Sequence, residues 1–318
     1  MRAKFTVMFL GLLWLALGPA WGVEPVARLP AQVQAQAQAQ AQQQPNRGAL
    51  FKVSQGERTL YLFGTIHVGA ADFYPLEARL AAALERAPVL ALEIDPLGDQ
   101  QAVAKALQQH GMLRPGATAS AQLAPAWRPR LARLLRRYAI PPQAVAGMKP
   151  WLLASVLTVS EFAALGYDTG LAVDAHLSRQ AHARGQAIVE LESVNGQMAL
   201  FDRMSGSEQL RFLEEGIAAI EDKEQAAQAR QIADAWRHAD AAALEALADK
   251  AAADQTLSGR FVQKVLLDER NPPLADSIAT LLARENNSVA AIGILHLVGK
   301  NSVPELLRKR GMAVERIY

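Results

Sequence analysis

The sequence predicts an α/β protein in which the two ends of the chain form a central mixed sheet and the middle is mainly helical. Three observations support this prediction. Short apolar runs end at Gly64 and at Gly293, as buried strands do before a turn. A histidine follows each glycine at the same spacing, at His67 and His296. Between the two turns the chain is rich in Ala, Leu, Gln, Glu and Arg, a composition typical of helices.

The N-terminus has the pattern of a secretory signal peptide. Arg2 and Lys4 precede an apolar stretch, and the small residues Ala20 and Gly22 suit the last positions before a cleavage site. We therefore expect residues 1–22 to be removed and the protein to be periplasmic or secreted. The apolar stretch is short for a bilayer span, so we expect no stable membrane insertion after cleavage.

The segment that follows the signal peptide is predicted to be a Gln/Ala-rich linker, residues 23–48. From Pro30 to Pro45 it has no charge, no aromatic residue and no periodic apolar face that could be buried. The remaining residues, 49–318, are predicted to form a single domain with a helical insertion, and they are enough for one sizeable core.

Charge and cysteine content exclude several functions. The formal net charge of +2 includes Arg2 and Lys4 of the predicted signal peptide, so the mature chain is neutral and we expect no nucleic-acid partner. The sequence has 0 cysteines, which excludes disulfides and thiolate chemistry. Any metal ion must therefore be held by histidine, carboxylate or other nitrogen and oxygen groups.

The elements follow each other in a mirrored order. At the start, a strand ending at Gly64 is followed by a helix after Pro75 and by the strand Val89–Leu92, which together make a β-α-β unit. The helical middle contains one probable strand, Ala187–Leu191. The end repeats the start, with the last elements predicted as the strand Ser288–Ile292, a helix after Pro304 and the strand Met312–Ile317.

The mirror predicts an internal repeat of strand, Gly-x-x-His turn, loop, helix and strand. In both copies a proline lies eight residues after the histidine, where a first helical turn is expected. Two such units in one sheet would place His67 and His296 at the carboxyl ends of strands, where open α/β sheets bind ligands. A single histidine of this kind is usually bonded to loop backbone, but two in matching context indicate a site.

Carboxylates follow two of the predicted strands. Glu93 comes directly after Val89–Leu92, and an acid that emerges from an apolar run is an unusual placement. Asp95 is the alternative on the same side. Glu190 and Glu192 repeat the theme after the middle strand, although no histidine turn adjoins them.

Other features favour ordinary structural roles. The basic segment Arg128–Arg137 carries leucines at helical spacing, so its arginines are most simply the solvated face of a helix. The remaining histidines have no partners nearby in sequence, and we expect all of them at the surface, namely His110, His176, His182 and His238.

A series of motifs runs through the chain in a specific order: Leu62–His67, Ala91–Glu93, Lys149–Trp151, Gly166–Asp168 with Asp174, Leu191–Ser193, Glu269–Asn271 and Gly293–Leu297. In these motifs the chain resembles the TraB/PrgY/GumN family, whose relatives include the Tiki metalloproteases. The resemblance implies a fold shared with erythromycin esterase-like and haem-binding ChaN-like proteins.

The resemblance also implies a metal-dependent hydrolase site. In that site His67, Glu93 and His296 would hold a divalent ion and leave a position for water. Glu192 or an acid beside the metal would act as general base, and Arg270 would stabilise the charged intermediate. Nitrogen and oxygen ligands are compatible with Zn, Mn, Co or Fe, and the Tiki resemblance favours Mn or Co.

The predicted function is therefore an exported metal-dependent hydrolase acting on a peptide or small-molecule substrate, with peptidase activity as the leading expectation. Two alternatives stay open at this point. The paired histidines could capture haem, iron or a small ligand without turnover, or the protein could sequester a peptide. The sequence does not indicate an oligomeric state.

The predicted signal peptide has a direct test. Fusing Met1–Gly22 to a reporter should direct the reporter out of the cytoplasm, and the mature N-terminus should lie close to Val23. Cell fractionation and N-terminal sequencing would measure both. Recovery of an unprocessed precursor in the membrane fraction would contradict cleavage.

Overall fold

The structure, a computed structural model, describes residues 45–318, so the predicted signal peptide and nearly all of the linker lie outside the described residues. Its centre is a six-stranded mixed sheet with the strand order β4-β3-β5-β2-β1-β6. The strands are β1 (Leu50–Gln55), β2 (Arg58–Thr65), β3 (Val89–Leu92), β4 (Ala187–Glu190), β5 (Ser288–Gly293) and β6 (Ala313–Arg316). The predicted α/β class with a mixed sheet is confirmed.

Helices make up most of the remaining structure. The α-helices are α1 (Ala78–Arg86), α2 (Gln100–Ala106), α3 (Ala119–Gln122), α4 (Arg128–Arg137), α5 (Pro142–Val145), α6 (Pro150–Ala164), α7 (Val173–Arg184), α8 (Val194–Phe201), α9 (Gly206–Glu221), α10 (Glu224–Arg237), α11 (Ala241–Ala253), α12 (Leu257–Phe261), α13 (Asn271–Arg284) and α14 (Val303–Lys309). Short 3₁₀ turns cover Ala71–Phe73, Thr169–Leu171 and Ile294–His296, and π-helical turns cover Leu107–Gly111 and Val262–Asp268. Across residues 45–318 no helix is long and apolar enough to cross a bilayer.

The two strands that lead to the predicted histidine turns are neighbours in the sheet. β2 and β5 run parallel, with Thr65 opposite Gly293, and β3 lies parallel on the other side of β5, with Leu92 opposite Ala291. All six residues of β5 are buried, which explains why the strand is apolar after Ser288. The carboxyl ends of β2, β5 and β3 therefore meet at one edge of the sheet.

The first strand of the sheet was not predicted from the sequence. β1 pairs antiparallel with both β2 and β6, and this makes the sheet mixed. Gly56 turns the chain between β1 and β2 with a positive φ of 59°, a conformation that glycine adopts without strain. The alternation of buried Val53 with half-buried Lys52 is the pattern of a strand, but it is brief.

The two end units differ in structure. α1 begins three residues after Pro75, because Glu77 caps it by accepting from the backbone amides of Arg79 and Leu80, whereas Pro304 lies in the first turn of α14. β6 lies at the far edge beside β1 and not next to β5. The predicted internal repeat is therefore not confirmed by the fold.

The basic helix α4 packs as its sequence pattern predicts. Leu131, Leu134 and Leu135 are buried in a second apolar cluster formed with α6 and α9. On the outer side, Arg130 Nε donates to Glu221 Oε2 over 2.6 Å. The arginines of α4 thus form the solvated face of an amphipathic helix.

The prediction that His110 lies at the surface is wrong. It lies in the π-helical turn Leu107–Gly111, which breaks the helical spacing on which the prediction relied, and it is buried. Its Nδ1 is 2.6 Å from Asp202 Oδ2 and its Nε2 is 3.1 Å from Asn195 Oδ1. Of the other three, His176 is half-buried, whereas His182 and His238 are exposed.

The loop after His67 gives a stability prediction. Gly69 exchanges two backbone hydrogen bonds with Asp168, and a Cβ on Gly69 would lie 1.8 Å from the carbonyl oxygen of Leu171. Gly69→Ala should therefore lower the free energy of unfolding by about 2–3 kcal/mol. Denaturant unfolding would measure the loss.

A second glycine provides the control for this prediction. Gly216 lies inside α9, and a Cβ there would make an ordinary contact of 3.9 Å with Ala154. Gly216→Ala should raise the free energy of unfolding by about 0.5–1 kcal/mol, because alanine loses less backbone entropy in a helix. Equal effects of the two substitutions would show that the close approach at Gly69 is not a constraint.

Candidate functional site

The predicted site residues converge at the carboxyl edge of the sheet. His67 lies two residues after β2, Glu93 directly after β3, and Glu192 two residues after β4. His296 ends the 3₁₀ turn that follows β5, and Arg270 approaches from the N-terminus of α13. Residues far apart in the chain are thus brought together because their strands are adjacent.

Gly293 leaves space at the centre of this site. A Cβ on Gly293 would lie 3.2 Å from both Glu93 Oε1 and His67 Nε2, and 3.6 Å from His296 Cδ2. The φ of Gly293 is −53°, which any residue can adopt, so the requirement for glycine here is spatial. The two histidines and Glu93 therefore surround one small volume above Gly293.

His67 is oriented by a carboxylate on α7. Its Nδ1 lies 3.0 Å from Asp174 Oδ2, so Nδ1 carries the proton that is donated to Asp174 when the ring is neutral. The acceptor atom Nε2 then faces the space above Gly293. This outer carboxylate is the arrangement that fixes the tautomer of a metal-binding histidine in many proteins.

His296 is oriented by an amide. Asn271 Nδ2 donates to the carbonyl oxygen of Asn301, so Asn271 Oδ1 is the atom that faces His296 Nδ1, at 2.5 Å. Nδ1 of His296 must therefore carry a proton. Its Nε2 carries the ring's lone pair and lies 4.0 Å from Glu93 Oε1.

The two histidines differ in their affinity for protons. Burial and the nearby charge of Arg270 lower the pKa of His296 to about 3, so its ring is neutral at physiological pH. Burial also lowers the pKa of His67, but the Asp174 carboxylate outweighs this effect and raises the pKa above its ordinary value. A neutral ring is the form in which histidine binds a metal ion.

Arg270 holds two carboxylates in the buried part of the site. Its Nε and Nη2 donate to the two oxygens of Glu192 over 2.9 and 2.5 Å, and Nη2 also donates to Glu93 Oε2 over 2.6 Å. Nη1 donates to the carbonyl oxygen of Leu266. Burial lowers the pKa of Arg270, but Glu93 and Glu192 outweigh it and raise that pKa.

Glu93 is ionised in this environment. Burial alone would raise the pKa of Glu93, but the positive charge of Arg270, the two histidine rings and the donated amide of Gly293 hold it well below its usual range. Its Oε1 accepts from the Gly293 amide over 2.6 Å, and its Oε2 accepts from Arg270 and, over 3.3 Å, from Gln197. The carboxylate is thus fixed in position as well as in charge.

Side chains that could hold a metal are close together, but they do not yet enclose an ion. In the part of the chain from residue 45 to 318, no three His, Asp or Glu side chains are arranged to coordinate a metal. Both oxygens of Glu93 accept hydrogen bonds, one from the Gly293 amide and one from Arg270. The predicted ligand set His67, Glu93 and His296 therefore stays a prediction.

The alternative carboxylate, Asp95, belongs to a different cluster. Ser178 Oγ donates to its Oδ1 over 2.5 Å, and His182 Nε2 lies 2.7 Å from its Oδ2. Glu190 accepts from the backbone amide of Asp95. These contacts connect β3 and β4 to α7 and are separate from the contacts of Glu93.

Three residues contribute to the site without having been assigned to it from the sequence. Asp174 and Asn271 orient the two histidines, and both lie in the motifs that carry the family resemblance. Gln197, on α8, donates to Glu192 over 2.8 Å as well as to Glu93. The motifs could have indicated the first two, but nothing in the sequence singles out Gln197.

The sequence as a whole identifies the family of this chain. The sequence matches the TraB/PrgY/gumN family over residues 49–316, and the chain belongs to that family. It is 26% identical over 267 residues to the uncharacterized protein YbaP of Escherichia coli (strain K12), covering 80% of this chain and 89% of the relative. YbaP of Shigella flexneri is similar to the same extent, with 26% identity over 267 residues. No solved structure matches this chain.

The ion pairs of Arg270 can be tested by substitution. Arg270→Met should lower the free energy of unfolding by about 3–5 kcal/mol, because it leaves the charges of Glu93 and Glu192 uncompensated near the core. Calorimetry or denaturant unfolding would measure this loss.

The matched control is Arg203→Met, which breaks an exposed ion pair with Glu269 and should change stability little. A loss in Arg270→Met as small as that in the control would show that the buried carboxylates do not depend on the guanidinium.

Proposed function

We propose that this protein is an exported metal-dependent hydrolase whose site is formed by His67, Glu93, His296, Arg270 and Glu192. One observation carries the proposal: two histidine rings, each anchored through Nδ1, present Nε2 towards the space around one ionised carboxylate. Two structural histidines would not need to direct their Nε2 atoms towards the same carboxylate. A Cβ on Gly293 would lie 3.2 Å from both His67 Nε2 and Glu93 Oε1, so these two atoms face the same point above the glycine.

The donor chemistry fits a divalent cation. His67 and His296 would hold it through Nε2 and Glu93 through a carboxylate oxygen, and the outer contacts of Asp174 and Asn271 would orient the rings. A bound cation would lower the pKa of a water ligand and polarise a substrate carbonyl. Manganese, cobalt and zinc all accept this ligand set, with manganese or cobalt favoured by family resemblance.

The other site residues have distinct roles in this proposal. Arg270 supplies positive charge beside Glu93, which keeps that carboxylate ionised and stabilises negative charge that develops on a substrate oxygen. Glu192 is our choice for the general base, because its side chain is 16% exposed against 8% for Glu93. Gln197 bonds both carboxylates and holds them in fixed relative positions.

The proposal also covers the location of the mature protein and the origin of its two Gly-x-x-His turns. The signal-peptide pattern of residues 1–22 supports a periplasmic or secreted location for the mature protein. The matched spacing of the two Gly-x-x-His turns supports an origin by duplication, within a fold related to erythromycin esterase-like and ChaN-like proteins. Peptides are the first substrate class to test, and small-molecule esters are the second.

The ligand set is tested by metal content and stability together. His67→Ala, His296→Ala and the double variant should each lose tightly bound metal, and the double variant should be scarcely worse than either single one, because ligands of one ion act as a unit. Glu93→Gln should lose metal as well. Asp174→Asn should weaken metal affinity about 10-fold to 100-fold, as expected for an outer partner. Elemental analysis and metal titration would measure these effects.

His238→Ala is the control, since that histidine is exposed and its Nδ1 lies 2.8 Å from the carbonyl oxygen of Asp234 in its own helix. Full retention of metal in His67→Ala would contradict the proposal that the two Gly-x-x-His turns hold one metal ion. Two structural histidines would instead lower the unfolding midpoint additively and leave metal affinity unchanged.

Activity measurements distinguish a hydrolase from a protein that binds its ligand without cleaving it. The metal-loaded protein should hydrolyse members of a peptide and ester panel, and Glu192→Gln should lose turnover while keeping the metal. Tight metal binding with every substrate recovered intact would favour a sequestering protein. A Soret band on titration with haem would favour haem capture.

A further inference from the structure

The two edge strands of the sheet, β6 and β4, differ in the hydrogen bonding of their outer backbone groups. At one edge, Arg308 of α14 donates through Nε and Nη2 to the backbone carbonyl of Val314 on β6, over 3.2 and 2.9 Å. At the other edge, β4 pairs only with β3 among residues 45–318. The β6 edge is thus blocked by a charged side chain, which is a common protection of exposed strands, whereas the β4 edge has no such donor in the described structure.

The backbone of β4 offers hydrogen-bonding groups on its outer side. The Leu191 amide donates to the carbonyl of Leu92, so residue 191 faces β3. Successive residues of a strand direct their amide and carbonyl groups to opposite sides. Ile188 and Glu190 therefore direct theirs away from β3 and towards the open edge.

The same strand exposes apolar surface next to the candidate site. Val189 is 40% exposed, and it is one of two large apolar residues that are exposed in residues 45–318. Two residues beyond the end of β4, Glu192 bonds Arg270. A chain lying along β4 would consequently reach the carboxyl edge of the sheet, where the candidate site lies.

We infer that the outer edge of β4 binds an extended peptide as an added strand and delivers it to the site beside Glu192. This inference rests on the proposed function and identifies its substrate as an unfolded or extended peptide segment. Backbone hydrogen bonds to Ile188 and Glu190 supply the binding, and an apolar side chain packed on Val189 supplies selectivity.

A second copy of the chain is a poorer occupant. β4 has only four residues, which span roughly 13 Å. Pairing between two such edges buries far less than the ~1,000 Å² that a stable protein interface needs. A single peptide strand requires no larger surface, and its affinity comes from the few backbone bonds that β4 can make.

The test uses direct binding of a peptide to the full chain. The probe is a fluorescein-labelled peptide Lys-Val-Thr-Val-Thr-Lys, whose binding is measured by fluorescence anisotropy. Two further versions of this peptide are N-methylated, each on one of the two alternating sets of backbone amides. One methylated copy should bind at least about tenfold more weakly and the other nearly as well as the parent, because only one set of amides faces the edge strand. Equal binding of the two copies would overturn strand addition.

Substitutions locate the binding site. Val189→Asp should raise the Kd for the parent peptide at least about tenfold, and Ala313→Asp on the blocked β6 edge should leave it unchanged. Unfolding midpoints would show that both variants fold. Unchanged peptide binding in Val189→Asp would refute the location. A change in molecular mass that depends on Val189, with no peptide binding, would also refute it, because it would indicate that a second copy of the chain occupies the edge.

Failure of this inference is distinguishable from failure of the hydrolase proposal. Peptide hydrolysis that persists at the wild-type rate in Val189→Asp would overturn the β4 site and leave the catalytic proposal standing. Edge-dependent binding of a peptide that is never cleaved would support the β4 site and remove the hydrolase.

Discussion

The buried guanidinium of Arg270 is the interaction on which the site depends. It binds carboxylates that follow β3 and β4, and it begins the helix that leads into β5, so it ties together segments separated by up to 177 residues in sequence. Two carboxylates this close and this buried would repel each other strongly without a cation between them. With the cation present, Glu93 stays charged and fixed beside the two histidines. The guanidinium therefore sets both the charge and the geometry available for chemistry.

Much of the sheet could be predicted because its central strands are buried on both faces. β2, β3 and β5 have apolar runs that end at a turn or an acid, and such runs are evident in sequence. β1 was missed because it is partly polar and its alternation of buried and exposed residues is brief. The order of the strands in the sheet could not be predicted from local sequence patterns, because periodicity does not show which strands become neighbours. His110 was misplaced for a related reason: its burial follows from a π-helical turn that no short pattern indicates.

The candidate site was predictable in its residue types and less so in its geometry. His67, Glu93 and His296 each follow a strand of the sheet, and strand ends converge in this class of fold, so their proximity could be expected. Asp174 and Gln197 lie on helices whose orientation depends on packing against the whole sheet. Asp174 lies in one of the family motifs, but nothing in the sequence assigns Gln197 to the site. Whether three donors enclose an ion depends on differences of about an ångström, which residue identity does not determine. The Arg270 contact to Glu93 is one such detail, and it alters what Glu93 is available to bind.

The central strand β5 comes from near the C-terminal end of the sequence, so the sheet is incomplete without the last part of the chain. β5 lies between β3 and β2, yet it is the fifth of the six strands in residues 45–318, and among these strands only β6 follows it. Without β5, the β1-β2 hairpin and the β3-β4 pair share no backbone hydrogen bonds within this sheet, because β5 is the strand that pairs with both β2 and β3. A chain without β5 has His67 and Glu93 but not the strand that joins β2 to β3. The candidate site therefore requires β5 and the turn that carries His296, both of which lie near the C-terminus of the chain.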